Sequence, residues 1–343
     1  MAKSCRQKIT QKSLKTRWKA WLVKNRRRIV IFLSFVVLLL VSAWCVLELM
    51  EVSRTDEAVR TFLHKVACDD CFPLDLKQVH ETKDRDSVCN FGPKEAGVVL
   101  LIFSKSLNHL QRHLIRHTWG GSVNPYYHHI RIFFLFGHVH GVASRRILKQ
   151  EYEKHRDIVI GDFRDSYGNL TLKAIYGFSW VLKNCPDARY VMKTDDDVII
   201  NVPNLLLTIE QNDLTGTIAG DCLGPVEPVR RKSSKWYADH ETYPLSNYPM
   251  FCSGTGYIMP KKVVQDIVTI SKTIPFFHLD DIYIAFCITR LGYKRKSLFP
   301  FHRYRKLPIL EVDYYCSCVA TSHELSSKEI LGLWRESNNL NVG

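Results

Sequence analysis

An uncharged run of nineteen residues, Ile29 to Leu47, lies between Arg26-Arg27-Arg28 and Glu48 and limits what the rest of the chain can become. At a helical rise of about 1.5 Å per residue it spans about 28 Å, enough to cross a hydrocarbon core of about 30 Å. It is longer than the apolar core of a cleaved signal peptide, and no small-residue cleavage site is clear behind it. The 28 residues in front of it hold eleven Lys or Arg and no acid. Cations collect on the cytosolic side of a span, so residues 1–28 are expected in the cytosol and everything beyond residue 47 in the lumen. A buried core helix would leave those charges unexplained.

The formal net charge of +14 changes meaning once that block is set apart. Past residue 28 the chain carries 37 basic and 34 acidic residues, so nucleic acid drops out as a partner. The cysteines agree with a lumenal placement. Cys5 is cytosolic and Cys45 lies in the span, which leaves Cys68, Cys71, Cys89, Cys185, Cys222, Cys252, Cys287, Cys316 and Cys318. In an oxidising compartment disulfides are the default. An odd number leaves at least one thiol free or paired with a second chain, so a homo-oligomer stays open. Cys68-x-x-Cys71 lacks a second pair at zinc spacing, since Cys316-x-Cys318 is not one.

Four segments follow: a cytosolic tail over 1–28, a signal-anchor over 29–47, a polar stem over 48–90 and a folded domain over 91–343. Within the last, Gly97 to Phe103 is a continuous apolar run, as in a strand buried on both faces. Ile130 to Phe136, Ile158 to Ile160 and Tyr190 to Met192 read as further strands. Helices are expected over 107–119, with Leu107, Leu110, Leu114 and Ile115 on one face, and over 144–155, 170–182 and 282–291. Strands alternating with helices give an α/β fold with a mainly parallel sheet between helical layers. Ligands collect at the carboxyl ends of such strands.

Lys193-Thr-Asp195-Asp196-Asp197-Val198 stands at one of those ends. Three adjacent carboxylates repel one another. A hard divalent cation removes the repulsion and bridges to phosphate oxygens, which suits a nucleotide diphosphate. Side chains alternate along an extended chain, so Asp195 and Asp197 point one way and Asp196 the other. A solvated acidic turn capping a helix is the competing interpretation.

From Gly97 to Trp334 the chain resembles the β1,3-galactosyltransferase family. The likeness rests on four ordered blocks: Arg112-His-Leu-Ile-Arg116-His-Thr-Trp119, Asp162-Phe-Arg-Asp165-Ser-Tyr167-Gly-Asn169-Leu-Thr171-Leu-Lys173, the Asp195 cluster, and Tyr243-Pro-Leu-Ser-Asn-Tyr248-Pro-Met-Phe-Cys252-Ser-Gly254-Thr-Gly256-Tyr257. Leu279-Asp280-Asp281-Ile-Tyr and Thr321-Ser-His323-Glu-Leu are weaker echoes. The resemblance implies a GT-A-like fold, manganese or another divalent cation, a UDP-sugar donor and an inverting reaction that makes a β1,3 linkage to a glycan on glycoprotein or glycolipid. It also implies a Golgi membrane enzyme of type II topology.

By the same resemblance, Asp197 and His323 are metal ligands, and Asp195 serves the metal or the nucleotide ribose. Asp281 aligns with the family's general base. Here Asp280 replaces the usual Glu, and Ile284-Ala285 replaces the usual Gly after the block. Helix capping would also suit both acids. Asp196, Arg112, Arg116, Asp165 and Lys173 are candidates for donor binding, and Tyr167 for shaping the nucleotide pocket. Trp236, Tyr243 and Tyr248, aromatic side chains that could stack on sugars, and Gly254 and Gly256, which allow close backbone approach, are candidates for the acceptor side. Asn169-Leu-Thr171 is a glycosylation sequon inside a structural motif.

Cys252-Ser-Gly254 resembles the galactosyltransferase branch, whereas related N-acetylglucosaminyltransferases more often carry Ala-Gly-Gly. UDP-galactose is therefore the expected donor, with UDP-GlcNAc or UDP-GalNAc next. An inactive relative acting as lectin or folding helper is the alternative class, and retention of the Asp cluster and the late acid weighs against it.

Overall fold

The computed structural model describes residues 2–69, 72–73, 89–139, 141–302, 319–323 and 325–340. Helix α1 covers Ala2–Val66. Two compact units are present, Met1–Arg54 and Thr55–Gly343. In the first, nearly all apolar side chains from Val30 to Met50 stand exposed, Val36 being partly covered. One helix there is long and apolar enough to serve as a single-pass anchor.

The second unit is built on a seven-stranded sheet. Its strands are β1 (Val98–Phe103), β2 (Ile130–His138), β3 (Ile158–Arg164), β4 (Tyr190–Asp195), β6 (Thr217–Leu223), β7 (Phe251–Pro260) and β8 (Lys294–Ser297), in the order β3-β2-β1-β4-β7-β6-β8. Only β7 opposes its neighbours; the other pairings are parallel. All six residues of β1 are buried. Val99, Leu101 and Phe103 face one core layer, and Val98, Leu100 and Ile102 the other. A run without polar residues is therefore what a central strand with two covered faces requires.

Helices α4 (Leu170–Asn184), α6 (Lys261–Ser271) and α7 (Asp280–Leu291) cover the first face. The second carries α2 (His109–Arg116), α3 (Val142–His155), α5 (Val202–Gln211) and α8 (Ser327–Leu340). The α2 pattern needs correction: Leu114 and Ile115 are buried as expected, but Leu107 and Leu110 are exposed and Arg112 is buried in their place.

The stem assignment also changes. In the Thr55–Val66 part of α1, Val59 and Leu63 are buried in the core, and the Phe62 ring lies edge-on to Tyr243 with centroids 5.6 Å apart. Arg295 reaches Asp56 at 2.7 Å. Residues 55–66 therefore belong to the folded unit. Cys89–Cys185 and Cys222–Cys252 are disulfides, and Cys68 is also disulfide-bonded. Cys287 is a free, buried thiol, while Cys71, Cys316 and Cys318 lie outside the described residues.

Candidate active site

A two-stranded ribbon builds the metal-ligand set. Strands β5 (Ile199–Ile200) and β9 (Thr321–Ser322) pair antiparallel, with Ile199 opposite Ser322. Asn201 N–H donates to Ala320 O at 2.9 Å, and the Asn204 amide donates to Val319 O at 2.9 Å. This pairing carries His323, just past β9, to Asp197, just before β5. His323 Nε2 and Asp197 Oδ1 are 3.3 Å apart, and one donor atom each from Asp195, Asp197 and His323 fall within 4.8 Å of one another.

The set has the chemistry of a divalent-cation site. Asp197 Oδ1 is buried and has no hydrogen-bond partner among the described residues, although it faces His323 Nε2. Donors about 2.1 Å from one small ion would lie about 3 to 4 Å apart, close to this arrangement. Two carboxylates and one imidazole suit a divalent metal. Burial works against ionisation of Asp197, but the contact with His323 outweighs it and lowers the pKa. Burial raises that of Asp195.

Lys193 precedes Asp195 by two residues, so alternation along β4 turns both side chains the same way. Its ammonium donates to Asp195 Oδ1 at 2.9 Å and to Gly254 O, and stands 3.7 Å from Asp280 Oδ2. It also lies 4.5 Å from the centre of the Phe103 ring. Burial opposes its charge, yet Asp195 and Asp280 prevail and raise its pKa, so it stays an ammonium.

Asp280 and Asp281 open α7, where the helix dipole favours negative charge. Asp281 Oδ1 accepts from the Ile282 N–H at 2.9 Å. Burial first, and then the charge of Asp280, push Asp281 up to about 7. A carboxylate tuned to that range can take a proton from a hydroxyl near neutral pH.

The family model described as Galactosyltransferase matches residues 110–298. The chain belongs to the galactosyltransferase family. It is 37% identical over 202 residues to human beta-1,3-galactosyltransferase 5, covering 59% of this chain and 65% of that protein. It is 34% identical over 256 residues to mouse beta-1,3-galactosyltransferase 1, covering 71% and 75%. Among solved structures, the galactosyltransferase LgtC with donor and acceptor sugar analogues superposes at a TM-score of 0.38 and 11% identity, covering 70% and 95%. That superposition is too loose to add to what the sheet order shows. The chain is thus a glycosyltransferase, with a central mainly parallel sheet between helical layers and an Asp-Asp-His group suited to a divalent metal.

In this galactosyltransferase several expected donor ligands are engaged elsewhere. Asp196 Oδ2 accepts from Ser104 Oγ at 2.6 Å and Asn108 Nδ2 at 2.9 Å, which ties the end of β4 to the loop after β1. Arg112 donates Nε to Glu151, Nη1 to Ser104 Oγ and Lys105 O, and Nη2 to Ser106 O and Glu151. These bonds use all five guanidinium N–H groups and leave none for a phosphate. Arg116 pairs with Glu151 and Asp157, each at 2.7 Å. It lines a cavity of about 350 Å³ with Ile132 and Phe133, at the amino ends of the strands and away from Asp195. Lys173 is buried against Asp165 at 2.7 Å and donates to Ser104 O at 3.1 Å.

On the acceptor side, Tyr243 and Tyr248 are core residues. Tyr243 stacks on Phe286 with centroids 5.5 Å apart, and Tyr248 packs against Phe277. Trp236 is 52% exposed and available to a ligand. A Cβ at Gly254 would come within 3.2 Å of Lys193 Nζ, so this glycine makes room for the ammonium. Gly256 makes room for Met192 instead. Asn169 donates to Arg164 O at 2.8 Å, and the Thr171 hydroxyl is buried on Phe277 O. Sequence reasoning gave Lys193, Ser104 and Asn108 no role. The two-residue spacing from Lys193 to Asp195 was the one usable signal.

Proposed function

We propose that the protein is an inverting β1,3-galactosyltransferase that moves galactose from UDP-galactose to the 3-hydroxyl of a GlcNAc, GalNAc or galactose acceptor on a glycoprotein or glycolipid. The observation that carries this reading is the convergence of His323, distant in the chain, on Asp195 and Asp197, with Lys193 linking Asp195 to Asp280 and the half-buried Asp281 following it. When bound there, a divalent cation such as manganese neutralises charge on the diphosphate leaving group. The residues of the chain supply the rest. Asp281 accepts the acceptor hydroxyl proton as the new bond forms on the face opposite the departing UDP, which inverts the anomeric centre. Lys193 holds Asp195 and the Asp280 side of the base in one frame. Relatives named as beta-1,3-galactosyltransferases support the donor and the linkage. The basic block before the apolar helix supports a single-pass membrane protein with its catalytic unit on the lumenal side, and the family resemblance supports the Golgi as its membrane.

A donor panel of UDP-galactose, UDP-GlcNAc and UDP-GalNAc, assayed with terminal GlcNAc, GalNAc and galactose acceptors with and without manganese, tests this. Metal-dependent β1,3-galactosylation is expected. Transfer from UDP-GlcNAc alone would replace the donor assignment, and no transfer from any pair would leave a binding protein.

A further inference from the structure

Between β6 and β7 runs a long loop that the proposed chemistry does not use. Arg230 pins it: its Nη1 donates to Ala238 O and Asp239 O, and its Nη2 to Tyr243 O and Leu245 O, all at 2.8 to 3.0 Å. A loop fixed by four bonds to its own carbonyls can present a defined surface. It presents Lys235 and Trp236. The Lys235 ammonium lies 4.7 Å from the Trp236 ring and 5.5 Å from the Tyr167 ring, so one cation touches two aromatic side chains from different loops. Tyr167 and Trp236 are 42% and 52% exposed, high values for rings this size in a folded unit.

Tyr167 also fixes where the surface lies. It stands four residues before Thr171, whose hydroxyl donates to Phe277 O at 2.6 Å, three residues ahead of Asp280; burial followed by the charges of Asp281 and Asp280 raises the Tyr167 pKa to about 12. The platform therefore lies on the base side of the site, with Tyr167 and Trp236 joined through the Lys235 ammonium.

Lys235, Arg231 and Lys232 are exposed, and among the described residues none forms an ion pair; the loop acids Glu227 and Glu241 make none either. Exposed rings take the apolar face of a sugar. A cation held against those rings meets whatever substituent that sugar carries at its edge, and no described residue forms an ion pair with it.

We propose that Tyr167, Lys235 and Trp236 form an acceptor platform that selects a glycan bearing an anionic substituent, a sulfate or a carboxylate, within one sugar ring of the hydroxyl that receives the donor sugar. This rests on the transferase reading above and adds the acceptor's chemical class. Galactose transfer to a neutral glycan would remain under that reading; what the platform adds is preference.

The test uses the full chain in detergent with UDP-galactose and manganese. Three acceptors share one terminal sugar: a neutral disaccharide, its sulfated counterpart and a counterpart containing a uronic acid. At low salt the anionic acceptors are expected to show a KM lower by about fivefold, a difference that shrinks at 0.5 M salt as screening sets in, about 3 Å being the Debye length at 1 M. Sulfate and carboxylate arms show which anion is preferred. Lys235→Met is expected to bring the anionic KM to the neutral value, and Trp236→Ala to raise KM for all three. Isothermal titration of each acceptor into enzyme with UDP and manganese reads the same preference without turnover. Equal KM and equal affinity across the three acceptors would overturn the platform while leaving galactose transfer intact. Loss of transfer with every acceptor would overturn both readings.

Discussion

Lys193 Nζ stands 2.9 Å from Asp195 Oδ1 and 3.7 Å from Asp280 Oδ2, so one buried ammonium joins the metal side of the site to the base side. Lys193→Met removes the charge and leaves these carboxylates facing one another. The variant is expected to lose about 3 to 5 kcal/mol of stability, the usual result of stranding buried charges. Denaturant unfolding measures it. The loss should shrink from pH 8 to pH 5, where protonation relieves the repulsion; a loss independent of pH would mean the ammonium serves only as packing.

Asp281→Asn is expected to lower kcat by about 10² to 10⁴, the range for losing a general base, with little change in affinity for UDP. Steady-state rates and calorimetric UDP titration check the two halves. Near-normal turnover would remove Asp281 from the base role.

The pH dependence follows from the same carboxyl. Asp281 must be ionised to act, so kcat should rise through about pH 7. Asp280→Asn removes a neighbouring charge that favours the protonated form, so it should move the rise to lower pH. For stability the sign reverses. A carboxyl whose folded pKa exceeds its unfolded value contributes fully below the unfolded value of about 4, and that contribution is lost as pH climbs through about 7. Thermal melts of wild type and Asp281→Asn over pH 5 to 8 should therefore diverge upwards, with the variant gaining relative stability.

His323→Ala and Asp197→Asn each remove a proposed metal donor. Apparent manganese affinity should fall by more than about tenfold in either variant, since even outer-shell partners cost that much. The rise in melting temperature on adding manganese to wild type should also diminish. Equal metal-induced stabilisation in both variants would place the ion elsewhere.

A soluble form beginning at Thr55 should fold, whereas one beginning at Ala67 should not match it. The shorter form loses the buried Val59 and Leu63, the Phe62 contact on Tyr243 and the Asp56 partner of Arg295. Burial lowers the Arg295 pKa even with Asp56 present, so stranding that guanidinium adds to the lost packing. The deficit is expected to be on the order of 5 kcal/mol. Melting temperatures of the two forms decide this.

What the sequence disclosed follows physical lines. Strand β1 was legible because both its faces are buried, and a run such as Val98 to Phe103 permits little else. The opposed placement of Asp196 was legible from alternation alone. Strands β6 to β9 were not: Lys294–Ser297 is largely exposed and carries no apolar signature, Gly220-Asp221 and Ser253-Gly254-Thr255-Gly256 break the apolar runs of β6 and β7, and β9 has two residues. Arg112 misled for a related reason: a buried guanidinium with five partners and a ligand-binding one look the same in sequence. The proximity of His323 to Asp197 depends on a ribbon of two residues per strand, too short to show a period, and only the family resemblance pointed to it.

The hydrogen bonds from Ser104 and Asn108 to Asp196 bear on how an acidic triplet should be counted. A backbone leaving a sheet can turn only its outer two acids toward the cavity; the middle one faces the scaffold. An extra negative charge in such a run need not strengthen the grip on a cation. Here it serves as a rivet, fixing the turn from which its two neighbours project.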